Sequence, residues 1–102
     1  PDLTVNELIV SFWRWVDRHY RDTDGRPTSE PHNYRLSLKP VRQLYGHRPA
    51  AEFGLLALKA VRDAMVAAGR CRTQVTAAVG RIRRMFKWGG ASEELIPAAV
   101  YQ

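Results

Sequence analysis

The run RTQVTAAVGRIRRMFKWGG spans residues 72–90 and has the period of a helix, not of a strand. At 100° per residue, Val75, Ala78, Val79, Ile82 and Phe86 fall within one apolar arc, with Met85 at its edge. The opposite pole holds Thr73, Thr76, Ala77, Gly80, Arg84 and Lys87, and Arg81 and Arg83 flank it. Thr73 has the character of an N-cap, and Gly89-Gly90 reads as the end of the helix. One face is therefore built for a core, and the other is small and basic. A glycine inside a helix costs about 1 kcal/mol relative to alanine. Gly80 is easiest to understand if the backbone there must approach a large flat partner.

The neighbouring segments repeat the helical period. Upstream of this run, Gly54 to Ala68 gives a third element with the stripe Leu55, Leu58, Val61 and Met65, stopped by Gly69. Ala50 to Phe53 reads as a short helical turn before it. Ser29 to Tyr45 forms a second element through Tyr34, Leu38, Val41 and Leu44, with Gly46 as its C-terminal cap. Pro40 falls inside that pattern and predicts a kink or a break, because proline removes a helical hydrogen bond and clashes one turn back. The first element begins at Thr4, where Thr4 and Glu7 have capping-box spacing. Its stripe is Val5, Leu8, Ile9, Phe12, Val16 and Tyr20, widened by Trp13 and Trp15. Asp22, Asp24, Gly25 and Pro27 close it. A fifth helix is expected from Ser92, with Glu93 and Glu94 near its positive N-terminus. No stretch sustains the alternation of a strand. The expectation is an all-α bundle of four to five helices, covering residues 1–96 as one domain.

The 102-residue length suits one domain with one modest core. The net charge is +6. It is not evenly spread: residues 1–63 are nearly balanced, residues 64–92 hold six Lys and Arg with no acid, and residues 93–102 hold two Glu with no base. A stretch of one sign points to nucleic acid or another acidic surface. The single Cys71 rules out an intrachain disulfide and suits a reducing compartment. No apolar run is long enough to span a membrane.

Little points to catalysis. His19, His32 and His47 lack metal-ligand spacing, and one cysteine cannot complete a site, so no metal and no cofactor are expected. There is no glycine-rich phosphate loop. Glu93 and Glu94 are adjacent on a helix and point apart. Cys71 has no identifiable base. Trp13, Trp15 and Trp88 could stack on bases, but Trp13 and Trp15 sit beside an apolar stripe and read as core. Trp88 falls towards the exposed side.

Three segments together resemble a family. They are Arg72-Thr73-Gln74-Val75, then Gly80 to Trp88, then Ser92-Glu93-Glu94-Leu95-Ile96-Pro97. With Thr4 to Leu8 and Phe12, they are similar to the core-binding domain of phage-integrase-type tyrosine recombinases. The chain differs at Gly89-Gly90, where the family has a helix-compatible pair such as Ala-Val. The resemblance implies a SAM-like bundle that forms one half of a C-shaped clamp on duplex DNA at core recombination sites. It also implies a separate C-terminal catalytic domain, with a nucleophilic tyrosine supported by arginines, histidines and a lysine. Pro97 to Gln102 would begin the linker to that domain, and Tyr101 would not be the nucleophile. On this reading the chain is not itself an enzyme. It would be a monomer belonging to a parent that assembles on DNA, in the cytoplasm and nucleoid of a bacterium.

The expected DNA contacts are Arg72, Thr73, Gln74, Arg81, Arg84 and Lys87, with Arg35, Lys39 and Arg42 as a second set. Two other readings remain open. One is a helical protein-interaction module whose basic face meets an acidic partner. The other is a helix-turn-helix regulator with the third and fourth helices paired across Gly69 to Arg72.

Overall fold

A computed structural model describes residues 3–20, 25 and 28–92. Four α-helices make the fold: α1 (Val5–His19), α2 (Glu30–Tyr45), α3 (Leu55–Ala67) and α4 (Arg72–Lys87). A 3-10 turn, Ala50–Glu52, precedes α3, and a π-type turn, Trp88–Ser92, continues α4. No strand occurs among the described residues, so the chain is a small all-α bundle. None of these helices is long and apolar enough to cross a membrane.

The capping box of α1 forms as the sequence predicts. The Thr4 N–H donates to Glu7 Oε1 at 3.0 Å, and the Glu7 N–H donates to Thr4 Oγ1 at 3.1 Å. The remaining free donors of this helix start are met from the α2–α3 connection. Val5 N–H reaches the Arg48 carbonyl and Asn6 N–H the Gly46 carbonyl, both at 2.9 Å, while Ala50 N–H donates to the Leu3 carbonyl at 2.7 Å. Gly46 stands at the C-cap of α2 as expected, with right-handed geometry (φ −54°). Its glycine is required by crowding. A Cβ there would lie 2.5 Å from both the Arg42 carbonyl oxygen and Asn6 Oδ1.

Helix α2 is continuous through Pro40, so the expected break into two short helices does not occur. The proline deprives the Leu36 carbonyl of its helical donor, and Leu36 sits on an exposed flank where water can serve instead. One turn earlier, Ser37 Oγ donates to the Asn33 carbonyl at 2.9 Å. Helix α3 ends in a Schellman turn. Gly69 adopts φ +88°, its N–H meets the Val66 carbonyl at 3.0 Å, and Arg70 N–H meets the Met65 carbonyl at 3.2 Å.

The core joins Val5, Leu8, Phe12 and Val16 of α1 to Tyr34, Leu38 and Val41 of α2, Val61 and Met65 of α3, and Ala78, Ile82, Met85 and Phe86 of α4. Several side chains depart from expectation. Leu55 is 74% exposed, because it lies about 120° round the helix from the centre of the arc that Ala57, Val61 and Met65 bury. Leu44 is half exposed in the last turn of α2. Met85 is fully buried, not at an edge. Trp88, expected on the exposed side, is half-buried, with its ring 5.3 Å from Phe12 and 6.1 Å from Trp15. It turns inward because Gly89 and Gly90 do not stop the helix. Both are buried in the π-type turn that carries α4 on towards α1. Trp13 and Trp15 pack against the core as expected. Ser92, the expected start of a fifth helix, ends the π-type turn, and the rest of that helix with Glu93 and Glu94, like the linker from Pro97, lies outside the described residues.

Three substitutions check this packing through thermal unfolding. Ile82→Ala opens a cavity in a fully buried site and should cost about 2–5 kcal/mol. Gly46→Ala should destabilise by about 1–3 kcal/mol through overpacking. Gly80 lies within a helix and nothing lies within 4 Å of a Cβ built there, so Gly80→Ala should stabilise by about 0.5–1 kcal/mol. A lower melting temperature for Gly80→Ala would show that this site is constrained in a way the structure does not contain.

Candidate nucleic-acid interface

The Schellman turn at Gly69 fixes where α4 begins. The chain passes from Arg70 directly into the helix, so the N-cap is Cys71, not Thr73 as expected. The Cys71 N–H is met by Gln74 Oε1 at 3.2 Å, which leaves the Gln74 amide NH2 free to donate outward. Thr73 becomes the second helical residue and is exposed, as are Arg72 and Gln74. Arg70 Nη1 lies 3.6 Å from Met65 Sδ, which holds the arginine stem against the end of α3.

A shallow groove of about 380 Å³ runs between α2 and the first half of α4. Asn33, Arg70, Thr73, Gln74, Ala77 and Arg81 line it, with Leu36 and Ser37 on the α2 side. The groove gathers three of the expected contacts, Thr73, Gln74 and Arg81. It adds two that the sequence did not single out, Arg70 and Asn33. Arg70 was signalled by its place just after the Gly69 stop, where a Schellman turn directs the next residue back over the helix. Asn33 is neutral and left no mark on any charge pattern.

The other expected residues fall elsewhere. Arg72 and Lys87 are exposed on α4 outside the groove, as is Arg83. Arg81 is partly buried, and its Nη2 stands 3.4 Å from Glu30 Oε1 at the start of α2. Arg84 is exposed, yet its Nη1 donates to the buried Tyr34 hydroxyl at 3.4 Å. Two of the six α4-side candidates therefore also tie α4 to α2. Arg35, Lys39 and Arg42 are exposed on α2 and turn towards α1, where they line a different groove together with Arg14. Lys39 and Arg70 also meet at a third depression between α2 and α3.

No described group of three or more His, Cys, Asp or Glu side chains could hold a metal ion. His19 stacks on Trp15, with ring centroids 4.3 Å apart. The polar chemistry of this side of the bundle is instead a cluster in which Arg84 donates to the Tyr34 hydroxyl and the Tyr20 ring lies 5.7 Å from the Tyr34 ring. The Arg84 guanidinium is raised above its ordinary value, chiefly by the Tyr34 hydrogen bond. Burial, then the hydrogen bond with Tyr34, pushes the Tyr20 phenol up from 10.0 to about 12, against a smaller lowering by the Arg84 cation.

The Tyr20 shift has a definite sign. A raised acid binds its proton more tightly in the folded state, so the stability it contributes is present below pH 10 and is lost as pH rises towards about 12. Tyr20→Phe should remove a tyrosinate absorbance step near pH 12 and make the alkaline loss of stability shallower over this window. A Tyr20 that titrates at its ordinary value would show that burial beside Tyr34 does not perturb it.

Comparison with family models, with curated proteins and with solved structures found no match to this chain.

Proposed function

We propose that this chain is a duplex-DNA-binding domain, of the kind that forms the core-binding half of a phage-integrase-type tyrosine recombinase clamp. The observation that carries this reading is the exposed face of α4. Thr73, Thr76 and Ala77 are exposed along it, and a Cβ on Gly80 would meet nothing within 4 Å. Arg70, Arg72, Arg83, Arg84 and Lys87 surround this strip, and α4 contains no acid. Small residues allow a helix backbone to come close to a duplex, and the cations around them reach phosphates. The Gln74 amide and the Thr73 hydroxyl are placed to donate at the helix start. On this reading the chain holds DNA, and bond breakage belongs to a separate domain that carries the tyrosine.

A helix-turn-helix reading has one observation in its favour. Helices α3 and α4 are joined by residues 68–71, a short turn containing Gly69 in left-handed geometry. It differs in what else touches DNA, since it would bring in the exposed face of α3 with Lys59 and Arg62. Amide-shift mapping with a duplex separates the two. Shifts over residues 70–87 and at Asn33 support the clamp reading, and a second group over residues 59–66 supports the helix-turn-helix.

Binding to a random duplex should be weak and salt-dependent. Four to five neutralised phosphates give a log–log slope of about −4. Replacing Arg72 and Lys87 together with alanine should flatten that slope by about 2 units without changing the melting temperature. Gly80→Ala should weaken DNA binding while raising stability, because a methyl group intrudes where the backbone approaches the duplex. A salt-insensitive interaction, or Gly80→Ala binding as tightly as the parent, would count against the proposal.

A further inference from the structure

The groove between α1 and α2 has a different chemistry from the one beside α4, and no residue lines both. It encloses about 500 Å³, and its floor is Ile9, Val10, Trp13 and Leu38. Val10 on this floor is 51% exposed, far more than a core valine. Its rims are cationic: Arg14 on the α1 side, and Arg35, Lys39 and Arg42 on the α2 side. No acid lines it. The Arg35 guanidinium sits 5.5 Å from the centre of the Trp13 ring, which holds that charge at the edge of the apolar floor.

Phosphates need cations but have no use for an apolar floor. The α2 rim is spaced i, i+4 and i+7, which keeps its three charges on one side of the helix over about 10 Å. An apolar strip bordered by such a row is the complement of a helix whose apolar stripe is bordered by carboxylates. We propose that the α1–α2 groove docks an acidic amphipathic helix of a partner protein. Its leucine-like side chains would cover Ile9, Val10 and Trp13, and its carboxylates would meet Arg14 on one side and Arg35, Lys39 and Arg42 on the other. The proposal does not depend on the DNA reading, and it gives the second set of cations a separate role.

The test uses a fluorescein-labelled 18-residue helical peptide with Leu at helical spacing and Glu on both sides of that stripe, titrated with the 102-residue chain. The peptide should bind. Exchanging its Glu for Gln, or its Leu for Ser, should weaken binding about tenfold or more. On the protein, Val10→Ser and the pair Lys39→Ala with Arg42→Ala should each weaken peptide binding by a similar factor. All three positions are on the surface or half-buried at most, and circular dichroism should show an unchanged fold. The same variants should leave the salt slope for duplex DNA unaltered. Four results would overturn the proposal. One is peptide binding indifferent to both protein variants. Another is a flattened DNA slope for the Lys39 and Arg42 variant with no effect of Val10→Ser, which would give the rim to DNA. A third is self-association of the chain that Val10→Ser abolishes, which would make a second copy the occupant. The last is Val10-dependent binding to phosphatidylglycerol vesicles without binding of the peptide, which would make it a lipid site.

Discussion

A hydroxyl buried in a small core must find a partner or cost stability, and Tyr34 is the residue that faces this constraint. Its side chain is fully buried, and its ring meets Phe12 edge-on at 5.2 Å. Its oxygen accepts from Arg84, one of the arginines of the basic helix. The distance is 3.4 Å, long for a strong bond, but Arg84 is not the sole tie. Arg81, almost one turn earlier, is ion-paired to Glu30 at the start of α2. Together they fix the rotation of α4 about its own axis. Once Ile82, Met85 and Phe86 are turned into the core and Arg81 and Arg84 are turned towards α2, Thr73 and Ala77, on the Arg84 side of the helix, are set along the α2–α4 groove while remaining exposed.

The opposite end of the bundle is held by backbone groups. The capping box satisfies two donors of the α1 start, and the 46–50 connection accepts or donates to its neighbours. Gly46 permits this because the backbone of the connection and Asn6 come too close for a side chain. Helix α2 packs against α1, α3 and α4. Its exposed flanks therefore form one wall of every interhelical groove described above. A change in the seating of α1 would alter the apolar groove beside Trp13. A change in the Schellman turn would alter the polar groove beside Thr73.

The helices were legible in the sequence because each keeps an apolar period and punctuates itself. Thr4 with Glu7, and Gly69, do what their residue types predict. The failures share a cause: local rules do not see a neighbour. Gly89 and Gly90 carry every mark of a helix end, yet burial against α1 carries the chain onward in a wider turn and draws Trp88 inside. Thr73 is a better N-cap type than Cys71, but the Gly69 turn fixes the helix start two residues earlier. Leu55 fits a stripe by spacing alone, and only the position of α3 against its neighbours reveals that Ala57 takes the buried place. In the candidate site, the α4 face could be read from a wheel. Asn33 and Arg70 could not, since they reach the groove from other elements.

Charge counted along the chain also conceals what charge does in space. The first 63 residues are nearly neutral, which made the α2 cations look secondary. Glu30 pairs with Arg81 beside the α2–α4 groove, whereas Glu7, Glu52 and Asp63 line neither groove. The two grooves are thus both cationic, and net charge cannot tell them apart. What separates them is the surface between the charges. Beside α4 that surface is mixed: Leu36, Ala77 and Ala78 alternate with the hydroxyls of Thr73 and Ser37 and the amides of Asn33 and Gln74, which suit phosphate oxygens and base edges. Beside α1 it is isoleucine, valine and tryptophan over the buried Leu38, and the exposed part of that surface, Val10 above all, has a hydration cost that an apolar partner relieves. The same residue types, arginine and lysine, therefore imply different partners on two sides of one helix, and the presence or absence of hydroxyl and amide groups between them is the deciding term.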